Sequence, residues 1–223
     1  MTKFFTADLH LGHKNILKLY NREFYDIKEH DEYVIKMLNL SVKKDDELYI
    51  LGDFSMSSNI DVLRNYFNSI ECNNIHLILG NHDNKQKMIQ LLNEGVLKSV
   101  RDNVVITEGQ ISLFCSHYPY KEWKGYYRGV RHAFGHVHGN VSTERAIDVG
   151  IDAVGYRPLS FEEVINRCDF LDPVDPLDRL DVINKNIQEI YPDLSVPYIV
   201  NMCIRDNDVR RLLIKKLKEE DND

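Results

Sequence analysis

This chain is short of the features that mark membrane proteins, disulfide scaffolds and nucleic-acid surfaces. Its 223 residues include no apolar run near the ~18 needed to span a bilayer. The N-terminus, Met1-Thr2-Lys3-Phe4-Phe5, enters a strand-like segment at once. It lacks the apolar core and small-residue cleavage site of a signal peptide, so the expected address is the cytoplasm. Cysteine is scarce: Cys72, Cys115, Cys168 and Cys203, with no C-x-x-C pair. That spacing offers no disulfide framework, and reduced, buried thiols are the expectation. Basic charge is outweighed, 28 Lys and Arg against 35 Asp and Glu, for a net charge of −7. Duplex binding runs on phosphate neutralisation, so this charge argues only against broad, non-specific DNA binding. A metal centre can still hold a single phosphate inside an acidic protein. There is no internal repeat and no low-complexity tract.

At 43% hydrophobic, the chain can build one good-sized core and a small appendage. Strand-like Lys3–Ala7 is followed by helical patterning at Asn15–Leu19 and Glu29–Leu40. Glu47–Leu51 is nearly all apolar, as a strand buried on both faces would be. Ile60–Ile70 carries an apolar stripe at helical spacing, Ile75–Leu79 is a third apolar strand, and a helix is expected near Gln86–Asn93. This alternation predicts an α/β layered domain. Val104–Thr107 and Ile111–Cys115 then flank Glu108-Gly109-Gln110 as a hairpin, and His132–Phe134 and Ala146–Val149 are further short strands. The expectation is a sandwich of two sheets with helices outside. A turn at Arg157–Ser160 leads into a helix at Phe161–Arg167, with Ser160 and Glu163 as a capping box.

The character changes after residue 167, which sets the expected boundary between a domain of residues 1–167 and an extension of residues 168–223. Four of the six prolines fall between Asp172 and Tyr198, and Asp172–Pro176 reads as a linker. Two helices are expected beyond it, Leu177–Ile190 and Asp206–Glu220. They would pack on the main domain or serve self-association into a homo-oligomer.

Five polar clusters follow the strands. They are Asp8-Leu9-His10, Gly52-Asp53, Gly80-Asn81-His82-Asp83, Ser116-His117 and Gly135-His136-Val137-His138. Taken singly, each has a plain explanation as a turn, a cap or a solvent-exposed pair. Jointly they do not, because ligands collect at the carboxyl ends of strands in open α/β sheets. The i, i+2 spacing of His136 and His138 points both imidazoles the same way on an extended segment. Oxygen and imidazole donors with no thiolate suit Mn²⁺ first, with Fe or Zn²⁺ as alternatives.

In this order the clusters resemble the calcineurin-like metallophosphoesterase superfamily, whose pattern is D-x-H, G-D, G-N-H-[DE], H and G-H-x-H. The resemblance runs from Lys3 to about Arg167. The stretches Asp8–His13 and Val149–Pro158 look like the small bacterial and phage phosphoesterases. It implies one metal held by Asp8, His10, Asp53 and His138, and a second held by Asp53, Asn81, His117 and His136. Asp53 would bridge them. The implied reaction is hydrolysis of a phosphoric ester by a hydroxide activated between the metals, with His82 as general acid. The implied partner is a small phosphoester substrate, which Asn81 would also contact. The ligand set does not separate a phosphodiesterase from a phosphomonoesterase, since both use in-line displacement. A binding scaffold that had lost catalysis would lack a ligand or His82, and none is missing.

Asp83 would orient His82 or cap the next helix, the second role being the simpler. His13 would reach the substrate phosphate, support a ligand, or face solvent at a helix start. Tyr118–Arg128 holds five aromatic and three basic residues and directly follows His117. Its aromatics would stack a base, with Arg128 holding a phosphate, or would pack on the domain. This motivates a nucleotide-type substrate. His132 reads as structural, and His30 and His76 have no site context.

Overall fold

A computed structural model describes residues 1–141 and 143–170. The linker and the two helices expected after it lie outside the described residues. In chain order the elements are β1 (Lys3–Thr6), α1 (Ile16–Leu19), α2 (Ile27–Ser41), β2 (Glu47–Leu51), α3 (Ile60–Asn68), β3 (Asn74–Ile78), α4 (Lys85–Asn93) and β4 (Ser99–Arg101). Then come β5 (Asn103–Glu108), β6 (Ile111–Ser116), a 3-10 turn (Tyr126–Arg128), β7 (Arg131–Phe134), β8 (Ala146–Asp148), α5 (Ile151–Val154), β9 (Leu159–Ser160) and α6 (Phe161–Phe170).

The strands form two sheets, in the orders β4-β3-β2-β1-β9 and β5-β6-β7-β8. β1 to β4 run parallel, and β9 pairs antiparallel with β1. In the second sheet β5 and β6 form a hairpin, while β6, β7 and β8 run parallel. The hairpin register pairs Glu108 with Ile111 across a two-residue turn, with Gly109 at φ +58°.

Alternation along the strands separates two cores. Leu48 and Ile50 of β2 face α2, α3 and α4, where Val34, Leu38, Leu63, Phe67, Met88 and Leu91 pack. Tyr49 and Leu51 face the other way, into the layer between the sheets, with Phe5, Leu113, Cys115, Ala133 and Ile147. So β2 is buried on both faces, as its apolar run requires. α6 adds Phe161, Val164, Ile165 and Cys168 to the inter-sheet core. Burying each such Leu, Ile or Phe contributes roughly 1.5–3 kcal/mol. A third cluster forms where Trp123 packs on Phe114, Phe134 and Ala146. Cys72, Cys115 and Cys168 are buried free thiols. Among the described residues, no helix is long and apolar enough to cross a membrane.

β9 and β4 depart from expectation. Leu159 and Ser160 are not only a turn. They pair with Phe5 and Phe4 to form the edge strand β9. The capping box forms alongside it: the Ser160 N–H donates to Glu163 Oε2 at 2.8 Å, and the Glu163 N–H donates to Ser160 Oγ at 3.3 Å. β4 was not anticipated, because three residues are too few to show a period. Pairing with β3 makes it a strand.

Candidate metal centre

Each cluster occupies the carboxyl end of a strand. Asp8 and His10 follow β1, Asp53 follows β2, and Asn81 and His82 follow β3. His117 follows β6, while His136 and His138 follow β7. Parallel pairing brings the first three ends to one edge of their sheet and the last two to one edge of theirs. Loop hydrogen bonds extend these ladders. The His10 N–H donates to Asp53 O at 2.9 Å, and the Gly135 N–H donates to His117 O at 2.9 Å. The two edges meet directly, for the His136 backbone N–H donates to Asp8 Oδ2 at 2.8 Å across 128 residues of sequence.

Three sets of donors result, each with its ligand atoms within 4.8 Å of one another: Asp8, His10 and His138; Asp53, His117 and His136; and His10, Asp53 and His82. Asp53 Oδ2 lies 3.7 Å from His10 Nε2 and 3.6 Å from His117 Nε2, so one carboxylate faces both ends of the cluster. Asn81 Oδ1 lies 3.0 Å from His117 Nε2. The structure thus gathers Asp8, His10, Asp53, Asn81, His82, His117, His136 and His138 in one crevice.

The backbone is strained where these residues sit. Seven non-glycine residues adopt positive φ among the described residues, and five of them are Asp8, His10, Asp53, His136 and His138. A left-handed conformation costs an L-residue roughly 1–2 kcal/mol. Such strain persists only where surrounding structure imposes it, and it concentrates at functional sites. Glycine serves close approach at two positions. A Cβ on Gly80 would stand 2.2 Å from Asp53 Oδ1, and one on Gly135 would stand 2.7 Å from Asp8 Oδ2.

Several polar residues behind the cluster have roles that the sequence motifs did not assign. Asp148 accepts the backbone N–H groups of Gly139 and Gly150, both at 2.7 Å, and so pins the loop that follows His138. Asp152 Oδ2 lies 2.6 Å from His138 Nδ1. Arg22 grips Asp152 through Nε at 2.8 Å and Nη2 at 2.6 Å. His30, without site context in the sequence, is fully buried and meets Arg22 Nη1 at 2.9 Å. Asp83 does neither thing expected of it. Asn84 caps α4, and Asp83 accepts backbone N–H groups from Asp53, Phe54 and Gly80. It shapes the loop that carries Asp53. The pairings of Asp83 with Phe54 and of Arg22 with Asp152 span 29 and 130 residues, so no local pattern signals them.

The electrostatics call for cations. Burial, and then the nearby carboxylates of Asp148 and Asp53, push the Asp8 carboxyl well above the ordinary range. Burial and then His138 lower His10 to about 2. Burial opposes ionisation of Asp152, but the bonds from His138 and Arg22 outweigh it and hold its carboxyl below the ordinary range. Asp8 Oδ1 and both ring nitrogens of His10 are buried without any hydrogen-bond partner. Buried polar atoms are almost always satisfied, so these orphans fit metal ligands. His117 Nδ1 lies 2.9 Å from Leu51 O, which leaves Nε2 as the lone-pair nitrogen for a metal. The donor set therefore fits two divalent ions.

The remaining residues border the cluster. The His82 side chain is 37% exposed, while those of His10, His117 and His138 are 5% or less. The His13 ring lies 5.5 Å from that of His10, and its Nδ1 is buried without a partner. Tyr20, unremarked in the sequence, stacks on His138 at 3.6 Å between centroids. The Tyr118–Arg128 segment divides its duties. Trp123 is buried and donates from Nε1 to Val130 O, while exposed Tyr118 lies edge-on to His136 at 4.6 Å. Arg128 is exposed on the 3-10 turn, and among the described residues no hydrogen bond or ion pair ties it to the cluster. His132 is structural as expected, buried with Nδ1 3.0 Å from Phe114 O.

Comparison with known proteins finds relatives across most of the described residues. Gene 66 protein of Mycobacterium phage L5 is 31% identical over 189 residues, covering 72% of this chain and 90% of that protein. An uncharacterized protein of Methanocaldococcus jannaschii is 26% identical over 168 residues, covering 71% of this chain and 86% of its own length. A solved structure of a protein of unknown function from Aquifex aeolicus matches with a TM-score of 0.59 at 21% identity. It covers 74% of this chain and 98% of its own and shows the shared fold. The family model for calcineurin-like phosphoesterases matches residues 1–163, from before β1 into α6, and so takes in every strand end described above. The chain therefore belongs to the calcineurin-like phosphoesterase family.

Proposed function

We propose that this protein is a two-metal phosphodiesterase acting on a small or nucleotide-type substrate, with Mn²⁺ as the working ion. The observation that carries this reading is that Asp53 Oδ2, 3.7 Å from His10 Nε2 and 3.6 Å from His117 Nε2, joins the set of Asp8, His10 and His138 to that of Asp53, His117 and His136, with the more exposed His82 alongside. Two bound divalent ions would supply an activated water and neutralise phosphate oxygens. The chain's own residues supply the rest. Asp8, His10, Asp53 and His138 would hold one ion, and Asp53, Asn81, His117 and His136 would hold the other. The His82 N–H donates to Asp53 Oδ1 at 2.9 Å, which fixes the backbone beneath its imidazole. That imidazole gives a proton to the leaving ester oxygen as the phosphorus–oxygen bond breaks. Asn81 and His13 hold phosphate oxygens, and Arg128 serves the outer part of the substrate. Tyr118 offers an exposed ring against His136, a surface on which a base can stack.

Mn²⁺-dependent turnover of bis-p-nitrophenyl phosphate against p-nitrophenyl phosphate tests the class. Faster cleavage of the diester is expected, and preference for the monoester would reverse the assignment. His82→Ala tests the proton donor. On a diester with an alkoxide leaving group it should lose about 10²–10⁴ in rate while keeping its metal. On a p-nitrophenyl ester, whose leaving group needs no proton, the loss should be small. Loss of metal from His82→Ala would instead make His82 a ligand.

A further inference from the structure

The two metal sites are supported unequally, and the difference lies in the Arg22–Asp152 ion pair, to which the sequence motifs assign no role. We propose that Arg22 and Asp152 are positioning residues that set the affinity of one metal site, that of Asp8, His10, Asp53 and His138, by fixing His138 and the backbone of Asp8 and Leu9. This inference rests on the two-metal reading above.

Asp152 Oδ2 accepts from His138 Nδ1 at 2.6 Å, so the ring proton sits on Nδ1 and the Nε2 lone pair remains for a metal. A carboxylate in this place also raises the basicity of the imidazole. Asp152 cannot swing away, because Arg22 holds both its oxygens. Arg22 itself is 4% exposed. Its remaining N–H groups donate to Asp8 O at 2.8 Å and to Leu9 O at 3.0 Å. One guanidinium therefore ties the loop after β1 to the ligand delivered by β7. His30 anchors it from α2, with Nε2 2.9 Å from Arg22 Nη1 and Nδ1 2.9 Å from Asp31 Oδ1. The carboxylate of Asp31 in turn accepts the Gly12 N–H at 2.9 Å and the Tyr66 hydroxyl at 2.7 Å.

Among the described residues, no carboxylate is hydrogen-bonded behind an imidazole of the second site. His117 Nδ1 bonds a neutral carbonyl, Leu51 O, and Asn81 is exposed. Removing charge behind His138 should thus weaken one site and spare the other. A pair that only stabilised the fold would show no such selectivity.

The test is a Mn²⁺ titration of metal-free protein by calorimetry, with metal content measured after dialysis. Wild-type protein should bind two ions. Asp152→Asn should weaken one site about 10–100-fold, leave the other unchanged and retain one ion per chain on dialysis. Because Asp152→Asn leaves Arg22 buried without its partner, the double variant Arg22→Gln with Asp152→Asn provides a second test without that charge. It should show the same one-site loss, with circular dichroism matching wild type. Two ions at wild-type affinity in a folded variant would overturn the proposal, and so would equal weakening of both sites. Wild-type protein that binds only one ion would overturn the two-metal reading itself.

Discussion

Gly80→Ala adds one methyl group and should disable the site. The new Cβ would stand 2.2 Å from Asp53 Oδ1 and 2.5 Å from the Asp53 backbone nitrogen, where ordinary contact begins at 3.4 Å. The carboxylate must retreat by roughly 1 Å, whereas metal ligands tolerate about ±0.2 Å. A displacement of that size at a reacting centre costs about 10²-fold in rate. The φ of Gly80 is not in the left-handed region, so alanine carries no added backbone strain and the collision is the whole effect. Overpacking of this kind costs about 1–3 kcal/mol, or about 2–12 °C in Tm for a chain of this size. Metal content after Mn²⁺ loading, turnover of bis-p-nitrophenyl phosphate and the apo-protein Tm should fall together. Gly95→Ala is the control. Its φ is +80° with open space around the added methyl, so it should lower Tm without changing metal content. Full metal content and wild-type turnover in Gly80→Ala would refute the close approach of Gly80 and Asp53.

Two further outcomes follow from packing and charge. Burial lowers His132 from 6.5 to about 4, so it stays neutral in the fold while the unfolded chain takes up a proton. Stability from this group is complete above pH 6.5 and is lost as pH falls toward 4, by roughly 3 kcal/mol at most. His132→Gln should flatten that part of the Tm–pH curve of the apo protein, and an unchanged slope would reject the assignment. Trp123→Ala should cost about 3–5 kcal/mol, because Trp123 fills the cluster of Phe114 and Phe134. An unchanged thermal transition would show that the Tyr118–Arg128 segment is not packed there.

Strands with several apolar residues were legible because alternation and burial leave a local pattern. Glu47–Leu51 was read to the residue. β4 and β9 were not, since two or three residues carry no period and become strands only by pairing with β3 and β1. The site divides in the same way. The eight residues of the crevice were legible because each is a donor type placed just after a strand. Arg22 had no legible role because its partner Asp152 lies 130 residues away, and Asp148 and Asp152 had none because their bonds to Gly139, Gly150 and His138 follow no periodic pattern. Asp83 was misread because the local rule for a helix cap applied to it, while its three N–H partners come from Asp53, Phe54 and Gly80.

The sequence by itself determined which donors are present and in what order, since oxygen or imidazole chemistry belongs to each residue alone. It also determined the glycines that let carboxylates approach a neighbouring loop. Only the tertiary structure decided that the ends of two separate sheets share one crevice, that five site residues adopt left-handed backbone, and that Arg22 stands behind His138. Those are distances between residues remote in sequence. They are set by how two apolar faces pack across the inter-sheet core, and no local pattern of residues encodes them.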